Sequence, residues 1–232
     1  MREILASGLR ELGLTATEEQ LAALEQFAGL LEEKNKVMNL TAIHGPEDIA
    51  RLHFLDCAAL LPLIPTAGRT LADVGSGAGF PGIVLKILSP ETRLTSLDSL
   101  GKRIEFQREA AEALGLADTE LLCARAEELA DRRESFDIVT SRAVARLNLL
   151  SELCLPFVKQ GGLFAAMKGP EVNEELREAE KGIRLLGGEP DRVAEYPVPG
   201  TDLRHNAVLI RKIAPTPKKY PRKWAAMKKQ PL

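Results

Sequence analysis

The sequence predicts an α/β fold: a mostly parallel sheet covered by helices on both faces, with an antiparallel hairpin at one edge and a helical extension ahead of it. Three observations carry this. From Thr70 onward short apolar runs alternate with helical stretches, the pattern of a parallel sheet whose crossovers are helices. A glycine-rich stretch, DVGSGAGFPG, directly follows the first of those runs. Residues 1–65, by contrast, carry helical periodicity only.

The elements follow in order. MREILASGLRELGL is an amphipathic helix with acids and bases mixed, lacking the apolar core and cleavage site of a signal peptide. From Thr17 to Asn39, a capping box of Thr17 and Gln20 precedes Leu21, Leu24, Phe27 and Leu31 at helical spacing. GPEDIARLHFLDCAALLPLI places Pro46 at a first helical position beside Glu47 and Asp48, and the helix stops near Pro62. In the core, 66–213, TLADV, RLTSLD, TELLCA, FDIVTSR and GLFAAMK read as strands. PGIVLKIL, KRIEFQREAAEALG, LNLLSELCLPFV and the stretch from Glu171 to Leu186 read as helices between and after them. GEPDRVAEYPVPG and RHNAVLIRKI follow with no helix between them and pair as the edge hairpin. Residues 214–232, with Pro215, Pro217, Pro221 and Pro231, read as an extended tail.

Composition narrows the function. No uninterrupted apolar run approaches the roughly 18 residues of a membrane helix, so a cytoplasmic protein without a membrane partner is expected. Cys57, Cys123 and Cys154 are odd in number and set among apolar residues, as buried thiols of a reducing compartment are. No Cys/His spacing matches a zinc site, and no metal is expected. The net charge of −2 conceals an asymmetry: eight of the 31 Lys and Arg, and none of the 33 Asp and Glu, fall between Arg211 and Leu232, leaving −10 on the remainder. A basic segment on an acidic body points to a polyanionic partner or to a solvated terminus.

The glycine stretch is where chemistry is expected. In open α/β sheets ligands bind at the carboxyl ends of the strands, and glycines there let backbone and a helix N-terminus approach them. Gly77, Gly79 and Gly82 match G-x-G-x-x-G, with Asp98 21 residues after Gly77, which keeps an NAD(P)-dependent oxidoreductase in play. Counted from Gly75, the glycine that ends the strand, the sixth position is Phe80, and the dinucleotide fingerprint fails. Asp73, Gly75, Gly77 and Gly79 instead form an acid-x-G-x-G-x-G pattern, which resembles the first motif of S-adenosylmethionine-dependent methyltransferases of the Rossmann-like class I fold. Asp98 then suits two ribose hydroxyls, because a carboxylate offers acceptors to both.

Further along, NLTAI, HFLDC, DVGSGAGFPGI, LDSLGKR, RAEEL, TSRAVA and MKG occur in an order that resembles the bacterial ribosomal RNA small-subunit methyltransferase G family, also called glucose-inhibited division protein B. The resemblance runs from about Leu30 to Lys212, with Cys57 standing where a Ser is expected. It implies S-adenosylmethionine as cofactor, methylation of N7 of one guanine in 16S ribosomal RNA, and the 30S subunit or its precursor as partner. A non-catalytic RNA-binding or ribosome-assembly factor of the same fold is the other reading.

The resemblance also places cofactor contacts on Gly75, Phe80, Ala126, Glu127 and Arg142. Phe80 either lies against ligand or staples the start of the helix, and Ala126 with Glu127 faces the adenine edge. Arg142 ends a strand, where a guanidinium needs an anionic partner: a methionyl carboxylate or an RNA phosphate. No general base is expected, since guanine N7 carries a free lone pair at neutral pH. Lys168, in MKG, and Lys218, Lys219, Arg222 and Lys223 of the basic segment are the candidate RNA contacts, with Tyr220 and Trp224 interleaved for stacking. His53 and Asn39 recur in the motifs without an assigned chemistry.

Overall fold

The computed structural model describes residues 1–232. The helices α1 (Arg2–Glu11) and α2 (Glu18–Met38) come first. The capping box forms: the Gln20 amide donates to Thr17 Oγ1 at 3.3 Å and the Thr17 amide to Gln20 Oε1 at 2.9 Å. Asn39 ends α2 in the left-handed region (φ 48°), which an Asn tolerates better than most residues. The next helix is α3 (Pro46–Asp48), a π-helical stretch Ile49–Leu55 and α4 (Asp56–Ala58) in continuous succession.

Seven strands then build one sheet in the order β3-β2-β1-β4-β5-β7-β6. They are β1 (Thr70–Val74), β2 (Arg93–Asp98), β3 (Thr119–Cys123), β4 (Phe136–Arg142), β5 (Val158–Lys168), β6 (Gly188–Pro197) and β7 (Arg204–Lys212). Strands β1 to β5 pair in parallel, and β7 enters antiparallel between β5 and β6. The chain moves outward from β1 to β3, then returns to start β4 on the other side of β1. The strand order therefore reverses between β1 and β4, and a crevice opens at their carboxyl ends.

Side chains alternate between the two faces, as a pleated strand requires. Leu71, Ile138, Ala165 and Leu209 join one core; Ala72, Val139, Phe164 and Val208 join the other. The first core holds Leu5, Leu24, Phe27, Phe54 and Leu60 from the N-terminal helices, together with residues of α5 (Gly82–Leu88) and α6 (Gly101–Ala113). The N-terminal extension is thus a layer of the same body. The second core lies under α7 (Leu147–Cys154) and α8 (Val172–Leu185).

Two stretches differ from expectation. LNLLSELCLPFV is helical only to Phe157, the last three residues as a 3-10 turn, and Val158 already pairs with Phe136 as the start of β5. The segment 214–232 is not an extended tail. Tyr220 packs on the second core, and a short helix α9 (Trp224–Lys229) lays Trp224 and Met227 against the same core, with Met227 fully buried. Arg133 fixes the approach by donating to the carbonyls of Thr216 and Tyr220.

Candidate functional site

A cleft occupies the crevice at the carboxyl ends of the strands. It is lined by Val74 and Gly75 at the end of β1, Leu97, Asp98 and Ser99 at the end of β2, Ala124 to Glu127 after β3, Val144 after β4, Leu153 of α7 and Trp224 of α9. The register explains this convergence. Val74 pairs beside Leu97 and Asp98 beside Cys123, so the ends of three adjacent strands stop at one level.

The loop after β1 has a conformation that only glycines adopt freely: φ is 72° at Gly75, 58° at Gly77 and 96° at Gly79. The loop is tied at several points. The amides of Gly75 and Ser76 donate to the Leu97 carbonyl, Gly77 N–H donates to Asp98 Oδ2 at 3.0 Å, and Gln107 Nε2 donates to the Gly77 carbonyl at 2.9 Å. A Cβ on Gly75 would stand 2.4 Å from Val144 Cγ2, so the absent side chain keeps this wall of the cleft in place. A Cβ on Gly77 meets nothing within 4 Å, so the limit there is the backbone conformation.

Asp98 is 4% exposed and lies on the cleft. Its Oδ2 accepts from Gly77 N–H and from Arg103 Nη1 at 3.2 Å, and its Oδ1 accepts from Leu100 N–H at 2.9 Å. A carboxylate has about four lone-pair sites; one on Oδ1 is open, and a second is freed where the partly exposed Arg103 yields. That acceptor set suits a vicinal diol, and the aliphatic lining of the cleft suits the apolar faces of a nucleoside. Ala126 and Glu127 begin a 3-10 turn on the opposite rim, where Glu127 Oε1 accepts from Arg125 Nε at 3.0 Å. No group of three or more His, Cys, Asp or Glu is placed to hold a metal.

Four of the predicted cofactor residues, Asp73, Gly77, Phe80 and Arg142, do not line the cleft; Gly77 lies behind it, tied to Asp98 and Gln107. Asp73 is fully buried and its Oδ2 accepts the Gly82 amide at 2.8 Å, pinning the start of α5 under the loop. Burial pushes its carboxyl up to about 7, against the Gly82 hydrogen bond, and its Oδ1 has no partner. Phe80 lies in an aromatic cluster with Phe27, Phe54 and His53, the last stacked at 4.3 Å, and so it staples the helix. Arg142 has its anionic partner inside the chain: Nη1 donates to Asp56 Oδ2 at 3.0 Å, and the guanidinium stands 5.0 Å over the Phe80 ring.

Around Arg142 a buried polar network joins the N-terminal helices to β4 and the edge hairpin. Arg142 Nη2 contacts His53 Nδ1 at 2.7 Å, and because a guanidinium only donates, His53 accepts there and carries its proton on Nε2, toward Thr41 Oγ1 at 2.8 Å. Burial, aided by the Arg142 charge, lowers the His53 pKa to about 3. Asp56 Oδ1 accepts from Tyr196 Oη at 3.1 Å and from His205 Nδ1 at 2.8 Å, and that hydrogen bond raises the His205 pKa. NLTAI enters this network through Thr41, and HFLDC through His53 and Asp56.

The candidate RNA residues divide likewise. Lys168 is committed to Glu175 at 2.6 Å and to the Ala145 carbonyl at 2.8 Å. Arg222 is held by Glu152, a carboxylate only 1% exposed, through its backbone N–H and its guanidinium. Lys218, Lys219 and Lys223 are exposed. Of the cysteines, Cys57 and Cys154 are buried as expected, whereas Cys123 is exposed because β3 is an edge strand. The sequence reading missed Trp224 as a cleft residue: it lies 71 positions beyond Leu153, the nearest other cleft residue in the chain, and no local pattern marks it.

Comparison with known proteins places the fold and the family. Solved structures share the fold of this chain at low identity. A SAM dependent methyltransferase from Aquifex aeolicus has a TM-score of 0.54 at 20% identity, over 74% of this chain and 96% of that one. TrmN from Thermus thermophilus has a TM-score of 0.57 at 20% identity, over 77% of this chain and 53% of that one. In sequence, the ribosomal RNA small subunit methyltransferase G proteins of Clostridium botulinum (strain Loch Maree / Type A3) and Pelotomaculum thermopropionicum are each 44% identical to it, over 99% and 100% of this chain and 98% and 99% of their own lengths. With the profile of the GidB family, rRNA small subunit methyltransferase G, matching residues 20–200, the chain belongs to that family.

Proposed function

We propose that this protein transfers a methyl group from S-adenosylmethionine to N7 of a guanine in 16S ribosomal RNA, acting in the cytoplasm on the small subunit or its precursor. One observation carries the reading: Asp98 lies at the end of β2 on the same cleft as Gly75 and the Ala126–Glu127 rim, in a chain of this family. Gly75, Asp98, Ala126 and Glu127 hold the cofactor, with Asp98 accepting from the ribose hydroxyls. Asp73, Gly77 and Phe80 act one layer back, by shaping the loop. When bound, S-adenosylmethionine supplies an electrophilic methyl on a sulfonium.

The chain's own task is orientation. Guanine N7 has no proton to lose, so the residues need to hold the acceptor in line and near the methyl group more than to act as a base. The placement of His53 fits this. Both of its ring nitrogens are engaged within the chain and it stays neutral well below pH 7, so it is a positioning residue for Arg142. Exposed Lys218, Lys219 and Lys223 supply sequence-independent attraction for phosphates.

The test is transfer of labelled methyl from S-adenosylmethionine to small-subunit particles and to deproteinised 16S RNA, with the modified base identified by mass spectrometry. Label in 7-methylguanine is expected. Cofactor binding with RNA binding but no transfer would favour an assembly factor, and binding of NADH in place of S-adenosylmethionine would favour an oxidoreductase.

A further inference from the structure

We infer that Trp224, delivered by the C-terminal segment, is the stacking wall for the purine of the cofactor. The assignment rests on the cofactor reading above and adds a contact from outside the glycine loop. Trp224 lies on the same cleft as Asp98 and Ala126–Glu127, and it is the only aromatic side chain there. The other apolar groups, Leu97, Val144 and Leu153 among them, are aliphatic and present no π face. A purine beside Asp98 meets its one flat partner in this indole, and stacking of a base on an aromatic ring is a sizeable contribution.

The indole is held at that position by anchors on either side. Two residues before it, the Arg222 guanidinium and backbone amide grip Glu152 of α7 at 2.6 to 2.8 Å, and Glu152 is 1% exposed. Three residues after it, Met227 is fully buried in the core beneath α7. Tyr220, four residues before it, is 6% exposed. Fixing both flanks leaves the half-buried Trp224 facing the cleft with little conformational entropy left to lose on binding.

Trp224 is also the only tryptophan in the chain, so its fluorescence reports on this one site. S-adenosylhomocysteine titrated into the full-length protein should change the indole emission with the same Kd that calorimetry gives. Trp224→Ala should weaken that affinity by roughly 5- to 150-fold, the range for loss of one base stack, while Trp224→Phe, which keeps both the packing and a ring, stays within about 3-fold of wild type. Calorimetric binding without a change in emission overturns the assignment and leaves the cofactor reading standing. Unchanged or tighter binding by a folded Trp224→Ala overturns it as well, the tighter case meaning that the indole obstructs the site. Should Trp224→Ala not fold, the emission titration and the Trp224→Phe affinity decide. Absence of any S-adenosylhomocysteine binding to wild type removes the cofactor reading, and this contact with it.

Discussion

Replacing Asp56 with Ala should destabilise the fold by about 3 kcal/mol. Asp56 is 3% exposed and accepts from Arg142 at 3.0 Å, His205 at 2.8 Å and Tyr196 at 3.1 Å. Without it the Arg142 guanidinium stays charged, since no accessible pH deprotonates it, and it is left in low dielectric without a counter-ion. Breaking a buried pair in this way costs about 3–5 kcal/mol. Arg142 keeps two acceptors, the Leu52 carbonyl at 3.3 Å and His53 Nδ1 at 2.7 Å, which places the cost at the lower end. In a chain of 232 residues, about 3 kcal/mol corresponds to a fall in Tm of roughly 6–12 °C, measurable by differential scanning calorimetry. Adding Arg142→Met removes the stranded charge, so the double variant should melt above Asp56→Ala alone. A Tm for Asp56→Ala within about 2 °C of wild type would refute the argument, because it would mean that Asp56 does not neutralise Arg142.

The acid limb of stability tests His53, whose folded pKa of about 3 lies below its unfolded value of about 6.5. The unfolded chain therefore binds the proton first, and the His53 contribution falls away as pH drops from about 6.5 toward 3, by about 2 kcal/mol at pH 5. Asp73, shifted up to about 7, acts in the opposite sense over that range, and His205, also shifted upward, does so above about pH 6.5, so the measured quantity is the urea-unfolding difference between wild type and His53→Gln at pH 8 and pH 5. Equal pH slopes for the two proteins would discard the assignment. Asp98→Ala should weaken S-adenosylmethionine binding by about 1.5–3 kcal/mol in calorimetry, the range for hydrogen bonds to a charged group, and also lower Tm, since Asp98 ties down Gly77 and Leu100. Unchanged affinity would take it out of the site. Exchange of Lys218, Lys219 and Lys223 for Gln should flatten the log–log salt slope of RNA binding by about 2, at roughly 0.7 per lost phosphate contact on single strands, without affecting cofactor affinity; an unaltered slope would place the RNA surface elsewhere.

Much of the fold was legible because the signals are local. The capping box at Thr17, the apolar alternation of the strands and the glycines at positive φ depend on backbone geometry within a few residues. The helix-to-sheet change after Pro65, the edge hairpin and the level of the glycine loop at the first strand's end follow from the same periodicities. Asp98 was legible because the parallel crossover brings the end of the next strand beside the loop.

Local patterns thus suffice for the order of elements, the loop and the strand ends at which the cleft opens. Which charges are paired inside the molecule depends instead on how distant segments pack. Arg142 meets Asp56 across 86 positions, and Arg222 meets Glu152 across 70. A strand-end arginine looks the same in sequence whether its anion is a ligand or a buried aspartate. Lys168 and the C-terminal segment follow the same rule: a cation's partner, like the burial of Tyr220 and Met227 and the arrival of Trp224 at the cleft, is set by which surfaces the packed layers bring together. Periodicity is a property of neighbouring residues, whereas electrostatic pairing at short range is a property of distances between residues far apart in the chain, and those distances exist only once the two cores have closed on the sheet.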